Sequence, residues 1–345
     1  MKKGSLPTLS EVARKAGVGN TTVSRVINGG ERVSPETLAR VQKVIAALGY
    51  RPNQAARVLK GHRTRTIGMI VPSLADPFFS SCAEAVQAVA RANDSLLIVT
   101  ATQNDPHKDL ENMKMLVSHR VDGLLIAPAN SKSDAIRDLA ARISIPVVTL
   151  DRPILNSTIP AVLTDNYQGA RCATEHLIEH GCKRIVCLTG ESTLFTIQER
   201  MRGYRAAVEE AGLTCTINTS VKDYKSAEYA IESLLASAHQ PDALLTLKNS
   251  TTIFAFEVLQ KLNIPVPQQL ALIGFDDFEL ATTLRPAVSV IQQPVEDIGR
   301  VAAELLFERF EDGARAGTKS RSGKRPVTLE NCLVRRSSCG CPAHS

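Results

Sequence analysis

In the stretch VGNTTVSRVING, Val18 to Gly29, five polar side chains fall within six residues: Asn20, Thr21, Thr22, Ser24 and Arg25. They are interleaved with Val23, Val26 and Ile27. Amide, hydroxyl and guanidinium groups are the ones that read base edges and hold phosphate oxygens. A second constellation opens with Asp76-Pro77-Phe78-Phe79, a carboxylate beside two adjacent rings in a chain with nine Phe and no Trp. Rings pack against the C–H faces of sugars, and charged groups pair with sugar hydroxyls. A third is the tail NCLVRRSSCGCPAHS, with Cys332, Cys339, Cys341 and His344. Its spacing is not that of a standard zinc site. It reads as incidental thiols on a frayed terminus, with no metal expected. His107, His119 and His180 have no partner ligands in register and read as surface or helix-end residues.

The polar cluster needs a helix to present it. Thr8-Leu9-Ser10-Glu11 fits a capping box, and Leu9, Val12, Ala13 and Ala16 repeat at helical spacing until Gly17. After the turn at Gly17-Val18-Gly19, a second helix is predicted over 20–27, with Val23, Val26 and Ile27 as its buried stripe. A third opens with Ser34 as cap and Pro35 in the first turn, stapled by Val33 and Leu38, and ends at Gly49. Three short helices with a glycine turn between the first two make a helix-turn-helix, whose second helix enters the major groove.

Charge supports this reading. Residues 1–65 hold 13 Lys/Arg against 3 Asp/Glu, whereas the remaining 280 hold 28 against 32. A basic, periodically apolar head on a mildly acidic body is the asymmetry of a polyanion-binding module. With 345 residues, two or three structural units are expected. No apolar run reaches membrane-spanning length, the N-terminus lacks a signal-peptide core, and the eight scattered cysteines read as reduced thiols. The cytoplasm of a bacterium, at the nucleoid, is the expected location.

TLSEVARKAGVGNTTVSRVINGGERVSPETLARVQKVIAALGYRPNQAARVLK resembles the DNA-binding head of the lactose-repressor (LacI) family almost end to end. The resemblance implies a DNA-facing set of Thr8, Asn20, Thr21, Thr22, Ser24, Arg25 and Asn28. Of these, Asn20, Thr21 and Arg25 would read bases. Gly19 stands where the family usually has a hydroxyl residue, which implies a weaker backbone contact there. RPNQAARVLKG then matches the family's hinge, implying a helix over about 53–60 that orders on operator DNA. Ala56 and Leu59 would lie at the minor groove, Leu59 as the wedge. A headpiece over 1–62 and an effector domain over 63–345 follow.

From Thr66 onward, apolar runs such as TIGMIVPS, DGLLIAP, IPVVTLD and LALIGFDD alternate with amphipathic segments. That alternation argues for doubly wound parallel sheets. Neither a GxGxxG after the first strand nor a Walker-type loop occurs, so no nucleotide cofactor is expected. This region resembles the two-lobed periplasmic-binding-protein fold, which implies crossings between lobes near 163, 292 and 325 and a ligand in the cleft. Carried over by resemblance, the effector set is Asp76, Phe78, Phe79, Asp151, Arg152, Arg200, Tyr224, Asn249, Asp276 and Gln292. Asp76 replaces the family's usual Asn, and Ser250 follows Asn249 where Asp is usual. Beside Asp151 and Asp276, an acidic Asp76 disfavours an anionic effector such as a sugar acid unless Arg152 and Arg200 dominate.

The expected protein is therefore a homodimeric, non-enzymatic repressor of carbohydrate genes that binds double-stranded operator DNA and a neutral sugar or polyol. It needs no cofactor and no membrane. A regulator answering to a sugar acid, sugar phosphate or purine is the alternative. A sugar receptor without a regulatory role is more distant, because it would carry a signal peptide and no basic head.

Overall fold

A computed structural model describes residues 7–27, 29, 32–50, 63–314 and 326–342. The chain forms two compact units, Met1–Thr64 and Arg65–Ser345. The expected hinge helix over 53–60, with Ala56 and Leu59, lies outside the described residues, as does Asn28.

The first unit holds α1 (Leu9–Ala16), α2 (Asn20–Ile27) and α3 (Pro35–Leu48). The capping box forms as the sequence predicts: the Glu11 N–H donates to Thr8 Oγ1, and the Thr8 N–H donates to Glu11 Oε2 at 2.8 Å. Gly17 closes α1 at φ 66°, a left-handed turn that costs a Cβ-bearing residue more than glycine. Ser34 caps α3 by accepting from the Thr37 N–H, with Pro35 in the first turn. Val12, Val23 and Val41, one from each helix, are fully enclosed, and Leu9, Val33 and Leu38 pack around them.

The second unit contains two six-stranded sheets built in the same order. In the first lobe β1 (Thr66–Val71), β2 (Leu96–Ala101), β3 (Gly123–Ile126), β4 (Val147–Leu150), β5 (Ala161–Thr164) and β11 (Val327–Leu329) run β11-β5-β4-β3-β1-β2, all parallel. In the second, β6 (Ile185–Leu188), β7 (Thr216–Asn218), β8 (Ala243–Thr246), β9 (Ala271–Phe275), β10 (Ser289–Gln292) and β12 (Cys332–Val334) run β12-β10-β9-β8-β6-β7. Here β12 is antiparallel to β10, a departure from the uniformly parallel sheets the sequence suggests.

Helices cover both faces of each sheet, so the strands are apolar on both sides. Ile67, Met69 and Val71 of β1 face one core with α4 (Pro77–Ala92) and α11 (Val295–Ala314). Ile70 faces the other core, with Met113 and Leu116 of α5 (Pro106–Ser118) and Ile136 of α6 (Asp134–Arg142). In the second lobe α7 (Asn166–Glu179) lies close against α8 (Phe195–Glu210). A Cβ at Gly203 would sit 2.1 Å from the Tyr167 carbonyl oxygen, so only glycine lets these two helices approach so nearly. On the opposite face of that sheet lie α9 (Tyr224–Leu235) and α10 (Asn249–Lys261).

The chain passes between lobes after β5, after β10, and between β11 and β12. The last passage, at residues 330–331, comes a few residues later than the position near 325 that the resemblance implies. The tail departs most from expectation. It is docked rather than frayed as far as Pro342: Arg336 makes a two-pronged ion pair with Asp277, and Ser338 Oγ donates to the Leu272 carbonyl. Docking carries Cys339 and Cys341 onto His176 and His180, so His180 is not isolated. His107 is exposed on α5 and His119 is exposed at its C-terminal cap, while Cys332 sits apart in β12 and His344 lies outside the described residues.

Candidate functional site

In the first unit, α2 exposes Asn20, Thr21 and Arg25 and half-buries Thr22 and Ser24, while Val23 and Val26 anchor its other face. Asn20 Nδ2 donates to Ser10 Oγ at 3.3 Å, tying the start of α2 to α1. Thr8 is exposed, and its hydroxyl is engaged in the cap of α1. The amphipathic split of an eight-residue helix has thus put nearly all its hydrogen-bonding chemistry on the outside.

In the second unit, a cavity of about 240 Å³ lies between the lobes. Its lining includes Asp76, Phe78, Phe79, Asp151, Arg152, Arg200 and Asp276, the core of the expected set. Asp151 follows β4 and Asp276 follows β9, the corresponding strands of the two sheets. Both adopt left-handed backbone, at φ 65° and 70°, and both donate a backbone N–H at 2.9 Å to the neighbouring strand, Asp151 to Val162 and Asp276 to Ile291. Such a conformation costs a side-chain-bearing residue about 1–3 kcal/mol, so the fold holds two strained carboxylates at the mouths of equivalent strands.

Each carboxylate has a guanidinium. Arg152 Nε donates to Asp151 Oδ2 at 3.0 Å, and its Nη1 donates to Asn104 Oδ1 at 2.7 Å. Arg200 Nε donates to Asn166 Oδ1 at 2.6 Å, while Nη1 reaches the Leu247 carbonyl at 2.7 Å and Asp276 Oδ2 at 3.3 Å. The Arg200 guanidinium also lies 3.6 Å from the centre of the Phe275 ring. The Nη2 groups of Arg152 and Arg200 have no partner among the described residues, leaving donors for a ligand. Burial pushes the Asp151 carboxyl above its ordinary value, against the pull of Arg152 and Arg200. Phe78 and Phe79 meet edge to face at 4.9 Å between centroids, giving the cleft an apolar wall.

Residues the sequence reading missed bridge the lobes. Asn104, at φ 57° in the loop after β2, donates from Nδ2 to Glu191 Oε1 at 3.1 Å. Glu191 is paired with Lys248 at 2.9 Å. Burial would raise the Glu191 carboxyl, but Lys248, Arg152 and Asn104 hold it below its ordinary value. Asn249 Nδ2 donates to Asp76 Oδ1 at 3.2 Å, closing the cleft from the other side. Asn249 therefore reaches the cavity through Asp76 and itself lines a second opening beside it.

Besides Asn249, two expected residues are not in the cavity wall. Gln292 is exposed at the second opening, and its neighbour Gln293 lines the cavity instead, donating to Asp276 Oδ1 and accepting from Thr164 Oγ1. The strand alternates faces with a period of two, so a shift of one residue moves a side chain from one side to the other. Tyr224 begins α9, where it packs in the second-lobe core with Lys261 Nζ 5.9 Å from its ring centre.

The lining holds four carboxylates (Asp76, Asp151, Glu191, Asp276) and three cations (Arg152, Arg200, Lys248), close to electrical balance. Such a wall suits a neutral, many-hydroxyl ligand better than an anion.

Known proteins agree with this architecture. Residues 8–53 match the model for bacterial regulatory proteins of the lacI family, and residues 64–329 match periplasmic binding proteins and the sugar binding domain of the LacI family. The ribose operon repressor of Haemophilus influenzae is 32% identical over 336 residues, covering 96% of this chain and 98% of that protein. The HTH-type transcriptional repressor PurR of Aliivibrio salmonicida is 32% identical over 310 residues, covering 89% and 93%. A solved complex of the transcriptional regulator CelR with cellobiose has a TM-score of 0.68 at 30% identity, covering 96% of this chain and 99% of that one. With a helix-turn-helix whose polar face is outward and a two-lobed α/β unit closing on a hydrogen-bonding cleft, the chain belongs to the LacI family of bacterial transcriptional regulators.

Proposed function

We propose that this LacI-family repressor controls carbohydrate genes in response to a small neutral sugar or polyol held in the interlobe cleft. The observation that carries the reading is the pair of strand-end carboxylates, Asp151 and Asp276, each matched to a guanidinium with a spare Nη2, beside the rings of Phe78 and Phe79. Sugar hydroxyls donate to the carboxylates and accept from the guanidinium groups, and the ring's C–H face packs on phenylalanine. Gln293 takes the place that the sequence reading gave to Gln292. The relatives include a ribose operon repressor, a cellobiose-bound regulator and PurR, and the near-neutral, carboxylate-rich wall favours a sugar over a purine. On this reading the cleft binds without turnover, each of its four carboxylates being already engaged by an arginine, lysine or asparagine side chain.

On the DNA side, Asn20, Thr21 and Arg25 read base edges, with Thr22 and Ser24 at the backbone. Two heads of a homodimer take half-sites about 10 bp apart. Thr8 serves the head through the α1 cap that supports α2. Ligand acts through unequal affinity for two lobe arrangements, which shifts operator affinity by linkage. The site of action on this reading is the cytoplasm, at the nucleoid, and no helix among the described residues is long and apolar enough to cross a membrane.

Calorimetry of the DNA-free protein against ribose, other neutral sugars, sugar acids, sugar phosphates and purines tests the reading, with operator gel shifts run beside it. Saturable binding of a neutral sugar that changes operator affinity is the expected result. Binding of purines or anionic sugars with no response to any neutral sugar would overturn it.

A further inference from the structure

On the far side of the second lobe, α7 presents His176 and His180 four residues apart, hence on one helical face. The docked tail lays Cys339-Gly340-Cys341 across that face. Cys341 Sγ lies 3.4 Å from His176 Nε2 and 3.4 Å from His180 Nε2, and Cys339 Sγ lies 3.4 Å from His176 Nε2. The donor atoms of His176, His180 and Cys341 fall within 4.8 Å of one another. We infer that His176, His180 and Cys341 form a binding site for one zinc ion, with the Cys339 thiol beside His176, fastening the C-terminal tail to α7.

Geometry and chemistry argue for zinc over coincidence. A tetrahedral zinc ion with bonds of about 2.05 Å to nitrogen and 2.3 Å to sulfur separates those atoms by about 3.6 Å. The two N···S separations to Cys341 are within a few tenths of an ångström of that edge. Two imidazoles and a thiolate, which leave a fourth position open, are a borderline-soft donor set that zinc accepts and calcium or magnesium does not. On binding, the Cys341 thiol passes its proton to solvent and the thiolate's electron pair goes to the metal, with no change of oxidation state. The tail is built to hold the thiols there. Ser338 is buried, with its hydroxyl bonded to the Leu272 carbonyl and the Ser289 N–H, and Arg336 is clamped by Asp277. Gly340, at φ 99°, supplies the left-handed turn that lets both neighbouring sulfurs reach His176.

The site is separate from the cleft and connected to it by one helix. Asn166, at the start of α7, accepts from Arg200, and His176 lies near its end. Zinc bound there would tie the segment after β12 to α7.

The test uses the full-length, untagged protein, reduced with a non-thiol reductant and stripped by a chelator. Titrated with Co²⁺, it should bind one equivalent per chain, with visible bands of tetrahedral cobalt and near-ultraviolet thiolate-to-cobalt charge transfer that Zn²⁺ abolishes. His180 is exposed and Cys341 partly so, which makes His180→Ala and Cys341→Ser variants that should stay folded. Each should weaken Zn²⁺ binding by more than the roughly 10–100-fold that loss of an outer-shell partner costs. Cys332→Ser, at an exposed thiol outside the cluster, should bind as the unaltered chain does. Absence of the charge-transfer band in the folded protein, or Zn²⁺ affinity unchanged in both His180→Ala and Cys341→Ser, would overturn the assignment.

Discussion

Replacing Arg200 by Ala separates the cleft's two roles, holding the second lobe together and holding ligand. The Arg200 side chain is 4% exposed, and its partners are the Asn166 amide, the Leu247 carbonyl, the Asp276 carboxylate and the Phe275 ring. Breaking a buried ion pair from one side costs about 3–5 kcal/mol, because the remaining charge stays buried without its partner. At about 2–4 °C per kcal/mol, the thermal transition of the effector unit should fall by on the order of 10 °C. The ligand loses the free Nη2 donor as well. A hydrogen bond to a charged group contributes about 1.5–3 kcal/mol, so sugar affinity should fall roughly 10- to 150-fold. The head has its own core around Val12, Val23 and Val41, so operator binding at 25 °C should survive. Calorimetry with the responding sugar, run well below the transition, and operator anisotropy on the same preparation measure both effects. Arg200→Lys keeps the charge but not the planar fork, and should recover stability better than affinity. Unchanged sugar affinity in a folded Arg200→Ala protein would refute the cleft reasoning.

Three further outcomes follow from the same structure. Arg25→Ala should weaken operator binding by about 1–3 kcal/mol and random-sequence binding far less; equal losses in a competition assay would make Arg25 a phosphate contact. The Thr8 N–H holds the Glu11 carboxyl below its ordinary value, so its contribution to the head is present above the unfolded value near pH 4.3 and is lost as pH falls through the lowered folded value. Glu11→Gln should therefore flatten the acid limb of head unfolding in a pH series, and an identical limb in both proteins would count against the capping box. Gly203→Ala drives a Cβ into the Tyr167 carbonyl and should destabilise the second lobe by about 1–3 kcal/mol or more, read by chemical denaturation.

Much of the molecule was legible in the amino-acid order because its determinants are local. The caps at Thr8 and Ser34 and the glycine stop at Gly17 act over three or four residues, so α1 and α3 begin and α1 ends where the types predict. Doubly buried strands must be apolar throughout, which marks the runs that become β1, β4 and β9 before their neighbours are known. Asp151 and Asp276 stand immediately after two such runs, where parallel sheets place their ligand groups.

Tertiary structure decided which side chains meet. Whether Gln292 or Gln293 enters the cleft depends on the phase of β10 against its neighbours, and one residue of phase reverses the answer. Tyr224 carries a sugar-binding type of side chain, yet helix packing turns it into the core of the second lobe. Asn104 and Glu191 are 87 residues apart, and His176 and Cys339 are 163 apart. No short-range pattern marks either pair. They come together because a chain that crosses three times between two sheets carries distant loops to one cleft and returns its last residues to the face of α7. Spacing along a chain encodes local hydrogen bonds, and only the order of strands and the packing of helices converts that spacing into distance.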